Sequence, residues 1–325
     1  MNIKNKRVLI TGADGFLGRS IVAALARSGE CDLLVAQDVR AVPQERRLSG
    51  VVYEQQDVRD PQLVENFKKH RVDTVVHLAA IVTPGRKSSR EFEYSVDVQG
   101  TQNVLQACVT AHVGHLLVSS SGAAYGYHAD SPDWLVETDP LRGNEVFAYS
   151  HHKRLVEESL ELYRRVQPAL KQTVFRIGTI LGEQVDNQIT ALFEKPRLIA
   201  IRGSKSPFVF IWDEDVTGAF LHALRGGIEG TYNLAGDGAL SVHEIAALLR
   251  KRTREFPAPL LQSALWIGSR LGVSRYGPEQ LDFLRYRPVL DNHRLKNELG
   301  YVPGKTSREA FLAFVAARER QGRPL

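Results

Sequence analysis

Residues 6–18 read KRVLITGADGFLG: a short apolar run that passes directly into Gly12, Gly15 and Gly18, three glycines at intervals of three. An apolar run of this length, rich in Val, Leu and Ile, suits a strand buried on both faces. Glycine admits positive φ and lets backbone approach a neighbouring group closely. The residues that follow, from Phe16 to Ser28, repeat apolar positions at helical spacing. A helix starting at Phe16 and Leu17 would present unpaired N–H groups and the positive end of its dipole, which is an anion site. A tight strand-to-helix turn that holds no ligand is the competing explanation.

The next strand weakens that alternative. Asp38 closes DLLVAQD (32–38), 20 residues after Gly18. An acid at about that distance is placed to accept hydrogen bonds from the ribose of a dinucleotide. A carboxylate there repels a 2′-phosphate, so the expected cofactor is NAD rather than NADP. Arg40 can either pair with Asp38 or turn toward such a phosphate. Further strands are expected at 74–80, 115–121 and 172–180, and helices near 16–28, 61–70, 89–112 and 147–166. Asp60-Pro61 has the form of an N-cap followed by proline at the first helical position. Alternating strands and helices imply an α/β fold with a doubly wound parallel sheet. Past residue 178 the pattern loosens. Short strands are expected at 208–216 and 230–236, and helices at 241–253, 260–271 and 305–319. The division expected is a dinucleotide-binding domain over 1–178 and a smaller mixed α/β substrate domain over 179–325, with 208–236 returning to the main sheet.

The chemistry-bearing residues cluster at one sheet edge. Ser119, Ser120 and Ser121 end a central strand, where ligands of open α/β sheets sit. Tyr149 and Lys153 are four residues apart and share a helical face. A phenol of pKa ~10 is a poor base near neutrality, and an adjacent ammonium lowers that value. His151 and His152 are expected to point away from Tyr149, toward the surface or an interface.

Composition narrows the classes. With 43% hydrophobic and 24% charged residues the chain is globular in composition. No apolar run reaches the ~18 residues of a membrane span, and the start carries no signal-peptide pattern, so the expected location is the cytoplasm. Cys31 and Cys108 stand in no metal or redox spacing, and no metal is expected. The net charge of +5 comes from scattered basic residues, with only local clusters at 46–50 and 86–90. Nucleic-acid binding is therefore not expected, whereas a phosphorylated small molecule suits the charge. FPAPLLQSALWIGSRLGV (256–273) is apolar over a wide helical face. Core or interface packing is the favoured explanation; the others are a greasy ligand or a membrane surface.

Taken together, these motifs resemble the extended short-chain dehydrogenase/reductase family, in its NAD-dependent epimerase/dehydratase branch, over essentially the whole chain. TGADGFLG (11–18) looks like the family's glycine loop, Asp57-Val58 its adenine-contacting pair, and HLAA (77–80) the motif beside the cofactor. SSSGAAYG (119–126) and YSHHK (149–153) match its serine and Tyr-Lys motifs. The resemblance implies a Rossmann domain binding NAD through Gly12, Gly15, Phe16, Leu17, Gly18, Asp38, Asp57, Val58, Leu78, Ala79, Ala80, Ser119, Tyr149, Lys153 and Ile177. It implies catalysis by Ser121, Tyr149 and Lys153. It also implies a homodimer through the helices near 89–112 and 147–166. Substrate contacts are expected from Thr83, Ser121, Tyr149 and Thr179, with Arg202 and Lys205 as phosphate partners. Three positions depart from the pattern: Thr179 and Pro207 stand where sugar-nucleotide enzymes often carry Asn and Arg, and Asp97 replaces an Asn. Gly122, Ala123 and Ala124 follow Ser121, so the acid pair of dehydratases is absent and dehydration is disfavoured.

The expected function is an NAD-dependent epimerase or oxidoreductase acting at a secondary alcohol or ketone carbon, with a nucleotide-linked sugar as the leading substrate. A dehydrogenase of a hydrophobic alcohol uses the same three residues and is the alternative. A dinucleotide-binding protein without turnover is a lesser one, because such relatives typically lose the Tyr-Lys pair.

Overall fold

The computed structural model describes residues 6–85, 88–271, 277, 280–323 and 325. Residues 86–87 of the basic cluster and 272–273 of the apolar segment lie outside them. The strands are β1 (Arg7–Thr11), β2 (Leu33–Asp38), β3 (Val51–Gln55), β4 (Thr74–His77), β5 (His115–Ser121), β6 (Lys171–Ile177), β7 (Thr179–Leu181), β8 (Arg197–Ile201), β9 (Phe210–Trp212), β10 (Gly230–Leu234) and β11 (Arg252–Phe256). The helices are α1 (Phe16–Ser28), α2 (Leu63–Lys69), α3 (Arg90–Tyr94), α4 (Gly100–Thr110), α5 (Ala148–Val166), α6 (Thr190–Phe193), α7 (Asp213–Gly226), α8 (Val242–Leu248), α9 (Ala258–Arg270), α10 (Gln280–Arg285) and α11 (Ser307–Arg320).

Seven strands form one parallel sheet in the order β10-β6-β5-β4-β1-β2-β3. The order reverses between β1 and β4, so the loops after those strands part and leave a crevice at their carboxyl ends. Apolar side chains fill both faces. Ile21, Leu25, Phe220 and Leu224 of α1 and α7 cover one, and Phe67, Leu105, Val156 and Leu160 of α2, α4 and α5 cover the other. This two-sided burial explains the strands' lack of polar alternation. A third cluster, with Phe193, Phe208, Phe210, Phe311 and Phe314, holds the C-terminal elements together.

The chain departs from the sequence expectations in local detail. β3 was not foreseen; its burial is only partial along VVYEQ, and it lies at the sheet edge. The expected strand 208–216 is cut to β9, because Asp213, Glu214 and Asp215 begin α7, where carboxylates suit a helix N-terminus. The run 172–180 divides at Gly178 into β6 and β7. The run 241–253 ends as helix at Leu248 and continues as β11 beside β8. α2 starts at Leu63 rather than Pro61, and the Asp60 carboxylate instead accepts from the Gln62 N–H in the turn before it. The helix expected over 89–112 carries a π-helical stretch, Ser95–Gln99, between α3 and α4.

Two buried strand histidines make stability depend on acid. His77 lies between the Thr11 and Thr101 hydroxyls, at 2.7 and 3.0 Å, and His115 meets the Thr173 hydroxyl at 2.7 Å. Burial lowers the His77 pKa to about 3, with help from Lys153. Burial also lowers that of His115, to about 4, and Lys6 and Lys171 add to it. Both are neutral when folded and take a proton when unfolded, near pH ~6.5. Their stabilisation is complete above that pH and declines as pH falls toward the folded values. Unfolding free energy from urea titrations should therefore drop between pH 7 and 5, by up to ~1.4 kcal/mol per pH unit for each histidine. A flat profile over that range would contradict this assignment.

Candidate active site

The glycine loop lies at the crevice, and its glycines are there for steric reasons. Gly12 has φ +70°, and a Cβ on it would stand 2.7 Å from the Ala79 nitrogen in the loop after β4. A Cβ on Gly18 would fall on the Gly12 carbonyl oxygen and within 2.7 Å of Ala13 Cα. The loops after β1 and β4 are thus in backbone contact, joined also by Leu78 N–H donating to the Thr11 carbonyl at 3.1 Å. Helix bonding within α1 starts with Arg19 donating to Gly15, so by helix geometry the first-turn N–H groups of Phe16, Leu17 and Gly18 have no helical acceptor. A loop with no room for side chains, ending in such a helix start, fits a pyrophosphate.

Asp38, the acid expected at the ribose, is buried at the end of β2. One of its carboxylate oxygens accepts from Asp14 N–H at 2.9 Å and the other from Arg40 N–H at 3.1 Å. The Arg40 guanidinium lies 3.6 Å from Asp38 and 4.0 Å from Asp14, so of its two expected roles the structure takes the pairing with Asp38. Arg46, noted in the sequence only as part of the basic cluster at 46–50, pairs with Asp14 at 2.6 Å. Farther along, Arg59 grips the Asp57 carboxylate at 2.6 Å and holds its pKa below the usual carboxylate range. Asn103 donates to the Val58 carbonyl at 2.7 Å, bracing the loop expected at the adenine.

On the other side of the crevice, Ser121 ends β5. Its Oγ accepts from Ala123 N–H at 3.1 Å, a bond that does not use the hydroxyl hydrogen. Lys153 is buried, with Nζ donating to the Ser119 carbonyl at 3.0 Å and lying 5.8 Å from the centre of the Tyr149 ring. Tyr149, Lys153 and Glu157 follow one another at intervals of four along α5. Glu157 anchors that face: Arg176 of β6 holds it through Nε at 2.9 Å and Nη2 at 2.7 Å, and Ser120 donates to it. Arg176 Nη1 also donates to the Tyr125 hydroxyl and the Glu137 carbonyl, at 2.8 and 2.9 Å. Burial works against the Arg176 charge, but Glu157 overrides it and holds the guanidinium above its usual pKa.

Other expected residues fall elsewhere or behave differently. Thr83, Arg202 and Lys205 are exposed on loops, and Thr179 lies in β7 opposite Phe210 of β9. His152 is not at the surface but buried, 3.5 Å from the buried Asp97, because position 152 is nearly one turn after Tyr149 and faces the π-helical stretch. Asp97 Oδ1 accepts from Ile81 N–H at 2.8 Å, tying that stretch to the loop after β4. Sequence reading also missed an aromatic wall. Tyr127, Phe147 and Phe283 pack with ring centres 5.0–5.6 Å apart. The Arg287 guanidinium lies 4.1 Å from the Phe208 ring centre and 4.4 Å from that of Phe283. Its Nε and Nη2 are buried and have no hydrogen-bond partner among the described residues, and burial lowers its pKa to about 10. Burial raises the pKa of Tyr127, and the nearby Tyr149 adds to that rise while Arg287 opposes it. RYRP carries no spacing that would have marked Arg287 beforehand.

Residues 8–235 match the model of the NAD dependent epimerase/dehydratase family. The chain belongs to that family, and with it to the enzymes of the extended short-chain dehydrogenase/reductase type. An uncharacterised protein of Mycobacterium tuberculosis is 27% identical over 313 residues, covering 94% of this chain and 82% of its own. The UDP-glucose 4-epimerase of Erwinia amylovora is 28% identical over 191 residues, or 56% of each chain. Among solved structures, the Bordetella bronchiseptica enzyme WbmG in complex with NAD and UDP shares the fold, with a TM-score of 0.73 at 17% identity, over 99% of this chain and 96% of that one.

The site yields two expectations. Glu157→Gln leaves the Arg176 charge buried without its counter-ion and should cost ~3–5 kcal/mol in a denaturant titration, whereas a loss below about 1 kcal/mol would refute the anchoring role. Gly18→Ala should destabilise the chain by ~1–3 kcal/mol through overpacking and weaken NAD binding, measurable by calorimetry; unchanged values would mean the loop can yield.

Proposed function

We propose that this chain is an NAD-dependent epimerase or oxidoreductase acting on a secondary alcohol or ketone of a nucleotide-linked sugar, with Ser121, Tyr149 and Lys153 as its catalytic residues. The observation that carries the reading is the placement of Lys153 beside Tyr149 on α5, at the same sheet edge as Ser121 and across the crevice from the glycine loop. NAD would be held by the Gly12–Gly18 loop, Asp38, Asp57, Val58, residues 78–80, Ser119 and Ile177. When bound, it supplies the acceptor and donor of hydride at the substrate carbon.

The chain's own part is proton handling. Tyr149 takes the hydroxyl proton during oxidation and returns it during reduction. Lys153 holds an ammonium 5.8 Å from the centre of that ring while the proton is exchanged. Ser121 donates its free hydroxyl hydrogen to the substrate oxygen and holds it in line. Arg287 supports a phosphorylated substrate, since its buried donors, without a hydrogen-bond partner among the described residues, suit an anion. This replaces Arg202 and Lys205 as the first choice for that contact. The aromatic wall of Tyr127, Phe147 and Phe283 favours a second reading, a dehydrogenase of an apolar alcohol. Exposed Phe92, Tyr94 and Leu162 on α3 and α5 support pairing of two copies through those helices.

Tyr149→Phe should lower turnover by ~10²-fold or more with NAD affinity unchanged, since only the proton-transfer group is lost. In thermal-shift titrations with NAD present, UDP or a related nucleotide diphosphate should stabilise the wild type, and Arg287→Ala should weaken that binding by about tenfold or more. Stabilisation by apolar alcohols alone would favour the second reading, and a Tyr149→Phe enzyme of normal turnover would remove Tyr149 from the chemistry.

A further inference from the structure

Helix α9 carries two apolar stripes, and the fold uses one of them. Leu261, Leu265 and Gly268 are half-buried. Leu260, Ala264 and Ile267 of α9, with Leu271 in the turn just past its end, are spaced four, three and four residues apart and form a second, exposed stripe. Leu260, Ile267 and Leu271 are 57%, 50% and 71% exposed. A helix that served only as core would not place residues at this period in solvent.

The chain immediately before α9 is basic on its exposed side. In the two-stranded β8–β11 sheet, Arg252 pairs in register with Arg197, and Arg254 with Ile199. These four residues alternate with inward ones and are all exposed, Ile199 at 56%. Lys195 and Arg250 are exposed at the strand ends, and Arg270 near the end of α9. The acid of β11, Glu255, faces His243 at 3.7 Å. Exposed arginines next in the chain to an exposed apolar stripe complement an anionic, amphipathic surface. A second copy of the chain would set arginine against arginine, which argues against self-association through this face.

We propose that α9 and the exposed face of β8–β11 dock on an anionic phospholipid surface, the outer stripe entering the headgroup layer and the arginines meeting lipid phosphates. Among the described residues no helix is long and apolar enough to cross a membrane, so the attachment is peripheral. The inference is independent of which substrate the active site takes.

Vesicle co-sedimentation of the full chain tests it. Vesicles of phosphatidylcholine with phosphatidylglycerol should retain the wild type roughly tenfold better than phosphatidylcholine alone, and ~0.5 M salt should release most of it. Ile267→Glu with Leu271→Glu should abolish retention, and Arg252→Glu with Arg254→Glu should remove the preference for anionic lipid. Both double variants should keep the wild-type melting temperature and NAD binding, because the substituted side chains are exposed. Wild-type protein left in the supernatant at low salt, or variants retained as well as wild type, would overturn the proposal. So would concentration-dependent dimerisation without lipid that Ile267→Glu with Leu271→Glu abolishes, since the stripe would then be an interface between copies.

Discussion

The ion pair between Arg176 and Glu157 is the interaction on which the arrangement of the site depends. Two charges removed from water cost several kcal/mol each, and only a fully satisfied geometry offsets that cost. Here the guanidinium grips both carboxylate oxygens and its remaining arm reaches the Tyr125 hydroxyl and the Glu137 carbonyl. The Tyr125 hydroxyl in turn reaches Asn233 of β10, whose N–H donates to the Glu137 carboxylate. One buried network thereby joins β5, β6, β10, α5 and the loop carrying Glu137. Its effect on the site follows from helix geometry: with Glu157 locked, the two residues at successive intervals of four before it, Lys153 and Tyr149, are carried to the carboxyl edge of the sheet.

The crevice is polarised by what lies on each side of it. Lys153 is buried and donates to a backbone carbonyl, while His77 beside it is kept neutral by burial and by that same ammonium. The buried Lys153 ammonium thus stands near Tyr149, with the His77 imidazole beside it uncharged. On the far side, Asp38 and Asp14 are buried carboxylates faced by Arg40 and Arg46. The acid expected at the ribose is thus fixed by backbone donors on both oxygens, and a side chain held by the fold lowers the entropy cost of binding.

Asp97 and His152 illustrate how a departure from a motif can be absorbed. The carboxylate at position 97 makes the bond to Ile81 N–H that a side-chain amide oxygen can equally make. Its second oxygen faces His152, in a pocket closed by Tyr94, whose ring meets the imidazole edge-on at 5.7 Å. The π-helical stretch shifts the helix phase at this point, so Asp97 points to the loop after β4 and to α5 together.

The sequence alone determined the features governed by local spacing. These were the glycine turn of 12–18, the acid at Asp38, the strands with apolar runs, and the Tyr149–Lys153 face, because strand and helix periods fix which neighbours in sequence become neighbours in space. It misassigned segments where context overrides pattern: 208–216, where Asp213–Asp215 turn a strand into a helix start, and 249–253, where the expected helix has ended and β11 begins beside β8. Tertiary structure alone decided the long-range pairs, Arg176 with Glu157, Asp97 with His152, and Arg287 between Phe208 and Phe283. It also decided that α9 leaves a second apolar stripe in solvent. None of the three pairings leaves a periodic trace, since a side chain reaching across the fold is constrained by packing against residues tens of positions away and not by its neighbours in the chain.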